Sequence, residues 1–529
     1  MPQKKRRRRH AAVQNRQSEL FAVSSLRGPV TTDISEALSK YFPLTTINTL
    51  PDDVLLDIFD HHRSASLGDW VHMQGWYALA HTCQRWRQLV FASSLRLNLQ
   101  LRCTFCMSVV DMINNSPPFP LILDYGPRFL KTWDAEGEDG FLFALRHLQR
   151  ASKIELSAPE STLTKLTAAM VEAAPRLEYL SLHSQTTELI LPKQFLDGYA
   201  PQLRHLILTG ASLATLNPLL SSSTSLVSLV LERIPSSAYF SPDNLIVHIS
   251  SMPQLRTLSI SFLSAVPRPG FGSERFLPPG PLARVELPVL KQLIYRGVSA
   301  YIEALLARIQ TPLIDDIDIT LFNQLTLSIP RICNFVHNLE TSRSTRARIG
   351  FSETSAHVVI VAAVPQQPTD STDIFLGVSC SQIDFQVSAM AQLCSGLSTS
   401  LAPIEELTLG FHHHHQNHQH HRYHWGRWPD EVEPAVWHAL LAPFQRTCTL
   451  RVHVALAADL ARALLQLPDI ENGQLGVELL LPELRTIVLL HRGDVNLLSS
   501  ASTAFGAFVD ERNRAGYLVS VESLDLSRL

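Results

Sequence analysis

Residues 50–91 read LPDDVLLDIFDHHRSASLGDWVHMQGWYALAHTCQRWRQLVF, and their spacing decides how the N-terminal part of the chain folds. Leu50, Val54, Leu55, Ile58 and Phe59 recur at helical intervals, so they gather on one side of a helix that Pro51 can start. Thr49 is placed to cap that helix, and Asp52 and Asp53 occupy its first turn, where the helix dipole favours negative charge. After a polar connection containing glycine, Trp76, Leu79, Ala80, Cys83, Trp86 and Leu89 make the apolar side of a second helix. Two helices this short expose more apolar surface than they can bury on each other. They need a partner.

The L-P-x-D-V-L-x-x-I-F opening and the closing Cys83-Gln84-Arg85-Trp86-Arg87 block resemble the two ends of the F-box. Gln84 stands where that family carries a basic residue, and the connection between the helices is longer than in compact F-boxes. Neither departure touches the apolar side. The resemblance implies docking on the small adaptor subunit of an SCF-type ubiquitin ligase, and through it on cullin and RING subunits. It implies adaptor contacts from Leu50, Pro51, Val54, Leu55, Ile58, Phe59, Leu79, Cys83, Trp86 and Leu89.

Composition bounds the rest. A chain of 529 residues, 45% hydrophobic and 18% charged, is expected to fold into more than one unit. Its net charge of −3 gives no global attraction to nucleic acid or membrane. Seven scattered cysteines argue for a reducing compartment, and no apolar run is long enough to span a bilayer. The first forty-five residues (1–45) read as a basic, largely disordered tail, because Lys4-Lys5-Arg6-Arg7-Arg8-Arg9 must repel itself and stay solvated. Such a block fits a nuclear import signal or an inert extension, so an intracellular protein of nucleus or cytoplasm is expected. Residues 46–100 form the F-box-like unit.

Residues 101–529 repeat themselves. The pattern apolar-x-x-apolar-x-apolar begins at Leu177, Leu203, Leu226 and Leu255, with variants at Ala151, Leu290, Ile314, Ile404, Leu484 and Val521. From Ala151 to Ile314 the starts fall 26, 26, 23, 29, 35 and 24 residues apart, near the leucine-rich-repeat period. Each unit then supplies a short strand with two inward apolar residues and a helical or irregular return, and stacked units share one core. The expected fold is α/β: a short helical F-box followed by an irregular leucine-rich-repeat solenoid, or horseshoe. No asparagine ladder follows the strands, a Pro- and Gly-rich loop spans Pro267 to Leu282, and the alternation changes between Arg346 and Val387. An F-box followed by such repeats resembles the large F-box family of mushroom-forming fungi, as do stretches such as LPKQFLDGYAPQLRHLILTG and LGVSCSQIDFQVSAMAQLC. That resemblance implies substrate selection for ubiquitination, without naming the substrate.

Other features invite chemistry and do not carry it. Phe411 to Trp428 holds eight of the twenty-two histidines, yet a low-complexity loop rarely fixes a metal geometry. Cys103 and Cys106 have zinc or redox spacing but lack a second pair. Asp316 and Asp318 should share one strand face while Asp315 points away. No P-loop, nucleophile elbow or H-E-x-x-H is present, so no enzyme, metal or cofactor is expected.

Two functions fit these residues. One is a non-catalytic substrate adaptor; the other is a nuclear repeat scaffold binding protein or nucleic acid without ligase association. On the adaptor reading a protein target meets the concave face of the repeats. Residues flanking the inward positions point there: Tyr179, Ser181 and His183, then His205, Ile207 and Thr209, then Ser228, Val230 and Glu232, then Thr257, Ser259 and Ser261, then Gln292, Ile294 and Arg296. Their mixed character suits protein better than a polyanion or lipid.

Overall fold

The computed structural model describes residues 47–65, 75–104, 108–126, 135–184, 189–264, 284–322, 324, 327–339, 344–361, 373–380, 383–411, 432–465, 480–491 and 495–526. The basic block at 4–9, the loop at 267–282, Cys106 and the histidine-rich segment at 412–424 lie outside them. The chain divides into two compact units, Met1–Leu99 and Gln100–Leu529.

The described residues of the first unit include three α-helices, α1 (Asp52–Ala65), α2 (Gly75–Thr82) and α3 (Gln84–Ala92). One continuous second helix was the sequence expectation. It is broken at Cys83, whose backbone is extended and whose Sγ accepts the Trp86 amide at 3.5 Å. Arg87 donates across the break to the Ala80 carbonyl at 2.9 Å. Arg85 reaches the other end of the motif, donating to the Leu50 carbonyl at 2.7 Å and to Asp52 at 2.6 Å. The two signature ends of the sequence are thus tied to each other in space. Leu55 and Phe59, one turn apart on α1, are fully buried, and Leu79 and Trp86 are nearly so.

The second unit is built on a sheet of sixteen strands. Its N-terminal run is β1 (Leu101–Cys103), β2 (Leu121–Tyr125), β3 (Ala151–Ala158), β4 (Tyr179–Ser184), β5 (His205–Thr209), β6 (Ser228–Ile234) and β7 (Thr257–Phe262). A short pair, β8 (Val285–Glu286) and β10 (Ile309–Gln310), forms a separate sheet of its own. The main sheet continues with β9 (Gln292–Gly297), β11 (Asp316–Phe322), β12 (Arg346–Phe351), β13 (Ser355–Val361) and β14 (Ile374–Ser379). It ends with β15 (Glu406–Phe411), β16 (Thr449–His453), β17 (Thr486–His491) and β18 (Ser520–Asp525).

The strands stand in the order β1 to β7, β9, β11, β14, β13, β12, β15, β16, β17, β18. All neighbours are parallel except at β13, which is antiparallel to both β12 and β14. A three-residue connection at 352–354 joins β12 to β13, and so short a link can only make a hairpin. The altered alternation after Arg346 therefore marks a reversal inside the same sheet. Gln386 Nε2 holds that reversal to the following helix by donating to the carbonyls of Ser352 at 2.8 Å and Cys380 at 2.6 Å.

The repeat pattern predicts the core. Leu180 and Leu182, Leu206 and Leu208, Leu229 and Leu231, Leu258 and Ile260, and Leu293 and Tyr295 are buried in register. Each such side chain contributes about 1.5–3 kcal/mol on burial. Between them alternate side chains emerge on the opposite, half-exposed face. Cys103 is buried, which pushes its thiol up to about 12 with Arg150 opposing the shift, so it behaves as a small apolar residue.

Candidate functional site

Two surfaces can meet partners. Pro51, just before α1, and Val54 and Ile58 on it are apolar residues outside the helical core, spaced so that they form one stripe beside the buried Leu55 and Phe59. Val54 is 38% and Ile58 40% exposed, high for aliphatic side chains on a packed helix. Leu50, Cys83 and Leu89 are half-buried. The expected adaptor surface therefore contracts. Leu55 and Phe59 have no exposed area to give to a partner, and Leu79 and Trp86 have almost none, because all four already pack inside.

The second surface is the half-exposed sheet face. Three rows run across it, set by the strand register. The first links Tyr179, His205, Ser228, Thr257, Gln292 and Asp316. Tyr179 lies under the Lys153 ammonium at 4.3 Å and against the His205 ring at 5.9 Å. Burial lowers the His205 pKa, Arg204 adds to the effect and Glu178 opposes it. Gln292 Nε2 donates to Asp316 at 2.6 Å. The middle row is mostly apolar: Ile207, Val230, Ser259 and Ile294, then Asp318 and Phe375.

Two expected contact residues are not available there. Ser259 is buried because it is short and sits between Val230 and Ile294, while Thr209 is fully buried beside His183, with Oγ1 to Nδ1 at 3.1 Å. Glu232 is half-buried and pairs with Thr209, but it does not lie beside Ser261. The β6–β7 register slips between Leu231 and Ile234, where Arg233 takes a positive φ of 51°. Arg296 is exposed, in register with Ser261 and Thr320. The predicted patch is thus interrupted by a bulge.

Farther along the same face, sequence reasoning missed a set of charged residues. Arg451 Nε lies 2.6 Å and Arg346 Nε 3.5 Å from the Glu406 carboxylate, and Arg348 stands in the adjoining row. The usable signal was the shared glycine of R-I-G-F at 348–351 and L-T-L-G-F at 407–411, which removes a side chain at the same step of neighbouring strands. Among the described residues no group of His, Cys, Asp or Glu could hold a metal ion. No described helix is long and apolar enough to cross a membrane.

Residues 47–101 match the family model for F-box-like domains. That covers the three helices and the first residue of β1. No curated protein matches the chain. Among solved structures, the chain is similar to the leucine-rich repeat-containing protein LegL7 from Legionella pneumophila. The two are 11% identical over 77% of this chain and 97% of the other, with a TM-score of 0.26. The repeat character of the second unit rests on its own strand register. In the F-box-like unit, Pro51, Val54 and Ile58 form an exposed apolar stripe.

Proposed function

We propose that the chain is a non-catalytic substrate-recognition subunit of an SCF-type ubiquitin ligase. The observation that carries this reading is the exposed apolar stripe on α1 within a segment matching F-box-like domains. Such domains dock on the small adaptor subunit, which would bring cullin and RING subunits to whatever the sheet face holds. Covering Val54, Ile58 and their neighbours supplies part of the driving force that must exceed an association cost of about 4–15 kcal/mol. The resemblance to the F-box proteins of mushroom-forming fungi belongs to the same reading, as does the basic block as a nuclear import signal.

The test is co-purification of the full chain with the adaptor subunit. The wild type should capture it, and Val54→Asp combined with Ile58→Asp should not, while the circular-dichroism spectrum stays unchanged. Equal capture by both would reject the assignment.

A further inference from the structure

The C-terminal half of the sheet face holds a hollow of about 340 Å³. Its floor is open at Gly410, which pairs in register with Gly350 across β15 and β12. Packing does not demand glycine at 410. A Cβ there would meet nothing nearer than the His453 Cβ at 4.0 Å. At 350, by contrast, a Cβ would run into the His357 ring, so that glycine serves the fold.

The rim is cationic. Arg348, Thr408 and Arg451 are consecutive in register, and Arg348 is exposed with no ion pair among the described residues. Glu406 is the acid between them, shared by Arg346 and Arg451. The Arg451 Nε contact lacks hydrogen-bond alignment, so that guanidinium keeps unsatisfied donor capacity despite the short distance. Of the lining residues, two guanidinium groups against one carboxylate leave an excess of positive charge beside a partly enclosed space, where a charge-assisted hydrogen bond is stronger than in water. The opposite wall is apolar, made by Leu490, Leu524 and Leu526, and Phe411 meets His453 edge-on at one end with ring centroids at 5.2 Å.

We propose that this hollow docks an acidic segment of the protein target. An Asp or Glu carboxylate seats between Arg348 and Arg451, and an aliphatic neighbour lies against Leu490 and Leu524. As a degradation signal this rests on the ligase reading; as a binding site it does not. Glu406 and the leucine wall disfavour a phosphodiester chain, which needs a continuous cationic track with stacking rings.

The experiment selects binders of the purified full chain from a random linear peptide library displayed on phage. Recovered peptides should be rich in Asp or Glu next to Leu, Ile or Val. Binding of a recovered peptide, read by fluorescence anisotropy, should weaken about tenfold or more in Arg348→Glu, as expected for losing a charged hydrogen bond. Gly410→Leu, which fills the hollow without touching its charges, should weaken it comparably. Selection without acidic enrichment, or acidic peptides held equally by both variants, overturns the proposal. So does a labelled oligouridylate that binds more tightly than the peptides and depends on Arg348. Adaptor capture measured on the same proteins keeps the two readings separate: its failure in the wild type rejects the ligase role and leaves the peptide result standing.

Discussion

Phe59 on α1 and Trp86 on α3 meet with ring centroids 4.8 Å apart and planes inclined at 60°. This tilted contact lies inside the helical unit, and with the Arg85 bonds to Leu50 and Asp52 it joins the opening of the motif to its close. It also divides α1 by task. One side is spent on holding the unit together, and the adjoining stripe stays exposed.

Substitutions on the two sides should therefore fail differently. Phe59→Ala should destabilise the helical unit by about 3–5 kcal/mol, the usual cost of truncating a buried aromatic. Adaptor capture would be lost together with the unit's protection from proteolysis. Val54→Asp with Ile58→Asp should lose capture while proteolytic resistance stays intact. Limited proteolysis beside the pull-down distinguishes the two outcomes, and loss of resistance in the second variant would contradict the division.

In the sheet unit, Arg102 donates to Asp124 across β1 and β2, with side chains only 11% and 8% exposed. Asp124→Ala removes the carboxylate and leaves a poorly solvated guanidinium, a change that costs about 3–5 kcal/mol. Replacing both, Arg102→Met with Asp124→Leu, should recover most of that loss. Thermal unfolding of the three proteins checks it; a double variant no better than Asp124→Ala would show that the charge itself is needed.

Asp318 gives a pH dependence with a definite sign. Burial raises its pKa from 3.8 to about 6, the nearby Asp316 adds to the shift, and its register neighbours are Ile294 and Phe375. The folded state then holds this proton more tightly than the unfolded chain does. Its contribution favours folding below the unfolded pKa, fades as pH rises through about 6, and is absent at neutral pH. Asp318→Asn should raise stability above pH 7 by at most about 3 kcal/mol and change little near pH 4. Urea unfolding at the two pH values measures it, and an equal effect at both would rule the titration out.

Much of this architecture was legible because it depends on local periodicity. The three- and four-residue spacing around Leu55 and the paired apolar positions at Leu180 and Leu182 describe which side is buried, whatever lies next to it. Strand order was not legible beyond β11, since pairing of β14 ahead of β13 and β12 depends on contacts distant in sequence. The short turn at 352–354 was its one local sign. On α1, periodicity grouped Val54 with Leu55, though a difference of one helical position separates an exposed residue from a buried one. On the sheet face, alternation placed Thr209 and Ser259 correctly by parity, but parity does not report the height of the side chains beside them. The arginines of β12 and β16 went unread because their strands lie far apart in the chain and adjoin only through β15.

The basic block at 4–9 has a prediction independent of the folded units. Deleting residues 1–12 should shift a fluorescent fusion from nucleus to cytoplasm without changing the melting temperature, the outcome expected of a run of six like charges, which repel one another. An unchanged distribution would make the block an inert extension.

If the chain selects substrates as proposed, different parts of the sheet face give different expected outcomes. The Tyr179 and His205 rings make a tilted contact in the first row, while Arg296 stands exposed two rows along on β9, past the bulge at Arg233. If one target covers this N-terminal section, His205→Glu and Arg296→Glu should each reduce its capture, and together reduce it more than either alone. Adaptor binding should continue in both. If the hollow at Gly410 is the principal contact, those variants should matter little and Arg348→Glu should dominate. A third arm deletes 412–424, the histidine-rich segment, to ask whether that segment rather than the sheet makes the contact. Comparing ubiquitinated proteins recovered with each variant separates the three cases. The open-face prediction fails if only the 412–424 deletion loses partners, because side chains projecting from β5 and β9 would then have been replaced without any consequence for recognition.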